Sequence, residues 1–128
     1  MISQIRIGDK VYFPEVQYND TKGHIAGDEL LVRMAQIISQ CIRNGVDTAY
    51  RLGGDEFTAV LPHTDIALAT RVARRLLKRF RRERMHDLSL SIGIVEYDRE
   101  SDIIEFIDRA DRAMYRVKNE GGDGVAQG

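Results

Sequence analysis

The alternation of short β-like runs with amphipathic helical segments constrains the fold of this chain most strongly. Apolar residues recur at helical spacing over residues 28–43, from about 65 to 80, and from 101 to 117. Runs typical of β-strands cover residues 48–52, 57–61 and 88–95. Because strands that alternate with amphipathic helices bury their apolar faces against one another, we expect one mixed sheet with helices packed on it.

Several local signals mark where these elements begin and end. Thr64 is predicted to cap the second helix, and the pair Gly121-Gly122 is predicted to end the third. The alternating pattern of residues 88–95 predicts a half-buried strand, in which Gly93 allows close approach by another backbone. Residues 121–128 are predicted to form only a small polar tail.

The size and composition of the chain indicate a single domain over residues 1–128. Of its 128 residues, 43% are hydrophobic, which is enough for one core. There is no run of about eighteen apolar residues and no secretory leader, so we expect no membrane span and a cytoplasmic domain. The single cysteine, Cys41, lies on a helical apolar stripe and is interpreted as a core residue.

The formal net charge of -1 indicates no overall attraction to nucleic acid or anionic lipid. The second predicted helix nevertheless carries a dense basic run, at Arg71, Arg74, Arg75, Lys78, Arg79, Arg81, Arg82 and Arg84. Such a run could bind nucleic acid or an acidic membrane. Since an intact apolar stripe runs between these residues, we interpret them as a solvated outer face and predict no nucleic-acid partner.

The turn Gly53-Gly54-Asp55-Glu56 separates two β-like runs and predicts a hairpin. Two adjacent carboxylates after two glycines place negative charge where a ligand can approach the backbone closely. Magnesium prefers a few carboxylate oxygens and takes its other ligands from water and phosphates. The turn therefore suits a magnesium-bound nucleotide, although an ordinary acidic hairpin has the same pattern.

The residues Arg51-Leu52-Gly53-Gly54-Asp55-Glu56-Phe57 resemble the signature of the GGDEF domain of diguanylate cyclases. The resemblance is continuous over residues 19–118 and includes the segment 19–28, Ser91-Ile92-Gly93, and the last helix with Asp111, Tyr115 and Lys118. It implies an α/β (α+β) fold: a five-stranded mixed sheet with flanking helices, built on the ferredoxin-like core of the nucleotidyl cyclase and polymerase palm.

The resemblance also implies an activity. Domains of this family condense two GTP molecules into cyclic di-GMP and two pyrophosphates in a two-fold homodimer, with Mg²⁺ or Mn²⁺ as the cofactor. They are expected to lie downstream of a sensory or regulatory domain in the full protein. The alternative is a degenerate GGDEF domain that binds GTP or cyclic di-GMP, or dimerises, with little or no catalysis.

The same resemblance implies roles for individual residues. Asp55 would bind the metal, and Glu56 would help to hold it or prepare the attacking hydroxyl, so both are catalytic candidates. An amide and a carboxylate together can satisfy the polar edge of guanine. The substrate-binding candidates are Asn19 and Asp28 for guanine, Lys118 for the triphosphate, and Gly53, Gly54 and Phe13.

The first strand departs from the family pattern, so that residues 1–18 are expected to be irregular. Counted back from Asn19 without a gap, Val11 stands at the metal-binding aspartate, and Val11 cannot bind magnesium. With two residues inserted before Asn19, Asp9 and Phe13 occupy the aspartate and phenylalanine positions. Pro14, which has no N–H, then takes the lysine position. We favour Asp9 as the second metal ligand.

Two further family features are incomplete. Gly122 and Asp123 stand where the family has an arginine after the last helix, which removes a forked phosphate donor. The product-inhibition motif retains Asp47, but Asn44 replaces its arginine and Arg43 is one step out of register. Because asparagine cannot make the forked contact of arginine, we predict no feedback inhibition through this surface.

Overall fold

The computed structural model describes residues 1–10, 20–53, 56–83 and 89–128. Among them, no helix is both long and apolar enough to cross a membrane. The elements follow the order β1 (Ile2–Lys10), α1 (Asp20–Cys41), β2 (Thr48–Gly53), β3 (Glu56–Pro62), α2 (Ile66–Arg82), β4 (Ser89–Glu96), α3 (Ile103–Asn119) and β5 (Gly124–Gln127).

The described strands form one five-stranded sheet in the order β2-β3-β1-β4-β5. The central strand β1 runs antiparallel to both β3 and β4, whereas β4 and β5 are parallel. The prediction of a five-stranded mixed sheet with flanking helices is therefore confirmed. The two strands that carry the hairpin signature lie at one edge, next to β1.

Helices cover both faces of the sheet. On one face, Met34 of α1 and Phe80 of α2 belong to the same buried cluster as Ile5, Ile7 and other apolar strand residues. On the opposite face lies α3, whose Phe106 carbonyl accepts a hydrogen bond from Gln4 at 3.4 Å. Since side chains alternate along a strand, Gln4 and Arg6 of β1 point to α3, and Ile5 and Ile7 point to α1 and α2.

Strand β4 is buried on both faces, so the prediction of a half-buried strand was wrong. The residues from Leu90 to Val95 are all buried, because α1 and α2 cover one face and α3 the other. The predicted close approach at Gly93 is confirmed. A Cβ atom there would lie 2.3 Å from the Ala110 carbonyl oxygen and 2.5 Å from the Met114 nitrogen, so α3 packs directly on the glycine backbone.

The helix ends agree only in part with the sequence signals. Asp65, not Thr64, caps α2, because its carboxylate accepts a hydrogen bond from the Leu68 N–H at 2.8 Å. Thr64 is instead buried, and its hydroxyl donates to the Pro62 carbonyl. Helix α1 begins at Asp20, well before the predicted residue 28.

The glycine pair after α3 has the predicted effect. Gly121 and Gly122 both have positive φ angles, 108° and 77° respectively, and the Gly122 N–H donates to the Val117 carbonyl at 2.8 Å. Glycine adopts this left-handed conformation without steric cost, so the helix ends here and the chain reverses.

The segment after this turn is not merely a polar tail. Residues 124–127 form β5, which pairs in parallel with β4 from Ser91 to Ile94. Val125 packs against the buried cluster and closes this edge of the core.

The described part of the first-strand region is regular. β1 pairs residue by residue with β3 from Ile2 to Gly8 and with β4 from Ser3 to Lys10. The expected irregularity is therefore absent from residues 1–10, and residues 11–18 lie outside the described part of the chain.

Candidate active site

The signature lies at the open end of the β2–β3 hairpin, as the sequence predicts. Arg51 pairs with Phe57, and the next pair joins Gly53 to Glu56, so β2 holds one extra residue, a β-bulge at Leu52. Bulges often redirect side chains beside active sites. Gly54 and Asp55, which connect the two strands, lie outside the described residues.

Glu56 is the centre of a polar cluster on the sheet face that carries α3. Its Oε2 lies 3.6 Å from the Arg6 Nη2, and its Oε1 lies 3.7 Å from the Lys118 Nζ. The Tyr115 hydroxyl donates a hydrogen bond to the same Oε1 at 3.3 Å. The structure thus brings together two predicted site residues, Glu56 and Lys118, which are far apart in sequence.

A second carboxylate, Asp111, completes this cluster. Its Oδ1 lies 3.3 Å from the Arg6 Nε, close enough for an ion pair. Both atoms are nevertheless buried without a hydrogen bond of good geometry, so we treat the contact as electrostatic. The nearby charges of Glu56 and Asp111 raise the pKa of Tyr115, which keeps its hydroxyl protonated and able to donate.

The ring of Tyr115 also contacts the cation of Lys118. The Lys118 Nζ lies 5.1 Å from the centroid of the ring, within the range of a cation–π interaction. The ammonium group is therefore held between an aromatic face and a carboxylate, at the position where the resemblance implies a triphosphate.

Asp9 lies in β1 close to the signature. Gly8 pairs with Glu56, and Asp9 is the next residue along β1, where it pairs with Leu90 on the other side. This backbone register places Asp9 at the same end of the sheet as the hairpin turn. The competing candidate, Val11, lies outside the described residues.

A groove of about 370 Å³ lies between α1 and the hairpin. Small-molecule sites commonly have volumes of this order. Its lining includes Leu31 and Phe57, and Phe57 directly follows Glu56. Asp28, predicted to recognise guanine, belongs to α1 about one turn before Leu31. The groove is therefore the best placed of the described cavities for a nucleobase, whereas Asn19 and Phe13 lie outside the described residues.

A larger groove of about 510 Å³ lies beside α3 and the end of β5, and its lining includes Arg109, Arg116 and Gly128. Of the residues that the structure describes, its lining includes Tyr115 from the cluster around Glu56 but none from the hairpin. Because Glu56 of the signature lies elsewhere, we place the candidate site at the hairpin.

Asp47, the remaining part of the product-inhibition motif, forms an ion pair with Arg43 of the same domain. The Arg43 guanidinium donates to its Oδ1 at 2.7 Å and also reaches the Pro62 carbonyl and the Thr64 hydroxyl. Burial raises the pKa of Asp47, but its hydrogen bonds with Arg43 lower it more, and the net pKa is below its usual value. The pair joins the end of α1 to the loop before α2.

The sequence interpretation missed Arg6 and assigned no role to Asp111 or Tyr115. One available signal was the charge at position 6, between two isoleucines in a run that alternates like a strand. Asp111 and Tyr115 are spaced four apart, and Tyr115 and Lys118 three apart, so the three residues share one helical face.

The chain resembles known proteins along most of its length. The family model described as "Diguanylate cyclase, GGDEF domain" matches residues 16–124. Diguanylate cyclase A of Treponema denticola is 39% identical over 114 residues, covering 84% of this chain and 30% of that protein. Diguanylate cyclase DgcM of Escherichia coli is 34% identical over 110 residues, covering 84% and 27%. The chain thus spans less than a third of the length of these relatives.

A solved structure confirms the fold. The crystal structure of the GGDEF domain of YfiN (TpbB) from Pseudomonas aeruginosa superposes with a TM-score of 0.83 at 30% identity. The superposition covers 98% of this chain and 81% of the other.

Proposed function

Because the chain belongs to the GGDEF domain family, we propose that it is a diguanylate cyclase domain, which condenses two GTP molecules into cyclic di-GMP and two pyrophosphates. The observation that carries this proposal is the pairing of Glu56, at the end of the signature hairpin, with Lys118 of α3. It places an acidic group and a cation side by side at the end of the hairpin on the face that carries α3, while the groove of about 370 Å³ lies along the hairpin on the face covered by α1.

Carboxylates such as those at the hairpin are the ligands that a divalent cation prefers, although the described residues alone form no group of three metal ligands. The side chain of Glu56 is 24% exposed, so solvent and ions can reach it. We infer that Asp55 and Asp9 would hold Mg²⁺ or Mn²⁺, with Glu56 beside them. When bound, the ion would neutralise charge on the phosphoryl oxygens during transfer.

We assign the other roles to this chain's own residues as follows. Asp28 and Asn19 would recognise the polar edge of guanine, and the glycines at 53 and 54 would allow the nucleotide to lie close to the backbone. Phe13 would contribute to the same substrate site. The Lys118 ammonium group would move from Glu56 to the triphosphate. There its positive charge would stabilise the leaving pyrophosphate.

The product is two-fold symmetric, and each nucleotide must present its 3′-hydroxyl to the α-phosphate of the other. A two-fold pair of half-sites, one on each subunit, meets this requirement. We therefore propose that catalysis needs a homodimer of this domain, and that an upstream domain of the full protein regulates how the two copies meet.

One observation favours the alternative, a domain that binds nucleotide without turnover. Gly122 and Asp123 stand where the family has a phosphate-binding arginine, and the Asp123 carboxylate forms an ion pair with Arg81 at 3.0 Å. The site has one cation fewer at this position. A degenerate domain would bind Mg²⁺ with GTP, or cyclic di-GMP, and release no product.

Turnover of GTP with Mg²⁺ distinguishes the two functions. We expect cyclic di-GMP and pyrophosphate at a rate that rises faster than linearly with protein concentration, because the active species is a dimer. Asp55→Asn should abolish the reaction. The matched control is Asp108→Asn, since Asp108 is an exposed carboxylate of α3 whose ion pair within the described part of the chain is with Arg112. If GTP binds but no product forms well above the dimerisation constant, the domain is a binding module.

A further inference from the structure

We propose that Arg6 is a positioning residue that holds the Glu56 carboxylate in place for catalysis. The inference rests on the proposed function of Glu56 but concerns a residue that the signature does not contain. Arg6 approaches one oxygen of Glu56, Oε2, while Lys118 and Tyr115 approach the other. The carboxylate is therefore held from both sides.

Arg6 is an unusual residue for its place in the fold. It lies in the central strand between the buried Ile5 and Ile7, and its cross-strand neighbours are Thr58 and Gly93. Its side chain is only 12% exposed. A cation at such a position is costly to desolvate unless carboxylates compensate for it, and among the described residues Glu56 and Asp111 do so.

Asp111 gives Arg6 a fixed position. The Arg6 Nε faces Asp111 on α3, and its Nη2 faces Glu56, so the guanidinium bridges the helix and the hairpin. A planar guanidinium that contacts two carboxylates through different nitrogens has little rotational freedom. The position of the Glu56 carboxylate therefore depends, through Arg6, on the position of α3.

The two cations next to Glu56 differ in what they can do during the reaction. Lys118 has a long flexible stem, and in the proposed function its ammonium moves to the triphosphate. Once Lys118 has left Glu56, Arg6 remains as the cation that orients the carboxylate. If Arg6 only stabilised the fold, its contact with Glu56 would not be needed during turnover.

The test compares Arg6→Met, which keeps an unbranched apolar stem without the charge, with Arg6→Lys, which keeps the charge. We expect Arg6→Met to lower kcat about tenfold, with the KM for GTP within about twofold, and to raise the Mg²⁺ concentration for half-maximal rate. Arg6→Lys should recover part of kcat. If Arg6→Met lowers the thermal midpoint too far for assay, the comparison of Arg6→Lys with wild type tests the proposal. We then expect Arg6→Lys to show a smaller loss of kcat at unchanged KM.

Arg109→Met is the matched control. Arg109 also lies between α3 and the sheet and has a buried Nε without a hydrogen bond, but it contacts the Glu96 carbonyl and Asp98, away from the hairpin. It should lose stability without a change in kcat. If Arg6→Met and Arg109→Met behave alike, or if Arg6→Met keeps wild-type kcat, the positioning role of Arg6 is refuted.

A second readout keeps this inference separate from the proposed function. If the wild-type chain makes no cyclic di-GMP, the proposed function fails, and Arg6 is then judged by calorimetric binding of a non-hydrolysable GTP analogue. We expect Arg6→Met to need about tenfold more Mg²⁺ for half-maximal binding, and to have little further effect in a Glu56→Gln background. Unchanged Mg²⁺ dependence, or additive effects of the two substitutions, would show that Arg6 does not act through Glu56.

Discussion

Gly93→Ala tests how closely α3 is packed on the sheet. The added Cβ would lie 2.3 Å from the Ala110 carbonyl oxygen and 2.5 Å from the Met114 nitrogen. Both are backbone atoms, so no side-chain rotation relieves the clash. Because interiors are close-packed, α3 would have to move outward by about 1 Å to reach an ordinary contact distance.

We expect this substitution to cost about 3 kcal/mol of unfolding free energy or more, the upper end of the usual cost of overpacking. For a domain of this size, that corresponds to a fall in Tm of about 10 °C. Because α3 carries Lys118, Tyr115 and Asp111, the cluster around Glu56 should be displaced as well. Urea unfolding followed by circular dichroism, together with the rate of GTP turnover, measures both effects.

The matched control for Gly93→Ala is Gly124→Ala on the adjacent strand. There the new Cβ would meet only a Val117 methyl group at 3.4 Å, an ordinary contact. Since alanine also reduces the entropy of the unfolded chain, we expect Gly124→Ala to be neutral or slightly stabilising. Equal stability of the two variants would refute the close packing of α3 on Gly93.

Two further predictions concern feedback and the metal site. The Arg43 guanidinium already donates hydrogen bonds to Asp47, Pro62 and Thr64. We therefore expect cyclic di-GMP to cause no non-competitive inhibition of initial rates. Strong inhibition that disappears in Asp47→Ala would contradict this expectation. Asp9→Asn should lower the rate about a hundredfold or more at nearly unchanged Tm, because a lost metal ligand removes several kcal/mol of transition-state stabilisation. Near-normal turnover by this variant would exclude Asp9 as a ligand.

The main elements of the fold could be predicted from sequence because their signals are local. The apolar stripes of α2 and α3 repeat at helical spacing, and the runs on either side of the signature are β-like and separated by glycines. The position of Glu56 at the hairpin end follows from the same pattern. Gly93 could also be interpreted correctly, since a glycine inside a strand commonly marks close approach by another backbone.

The errors occurred where distant parts of the chain decide the outcome. Strand β5 has only four residues and no strong pattern, and it forms because β4 offers an unpaired edge. The alternation in residues 88–95 predicted one exposed face, but both faces of β4 are covered by helices from different parts of the chain. Thr64 and Asp65 are both good caps, and the burial of Thr64 leaves Asp65 to cap α2.

The sequence by itself determined the order of the elements, the family and the signature residues, because each depends on neighbouring positions. Only the tertiary structure decided which charged groups meet at Glu56. Tyr115 and Lys118 of the last helix approach the Glu56 carboxylate, and Asp111 of the same helix contacts Arg6. Antiparallel pairing of β1 with β3 brings Arg6 to Glu56. A contact between residues more than a hundred positions apart depends on sheet register and helix packing, which no local pattern specifies.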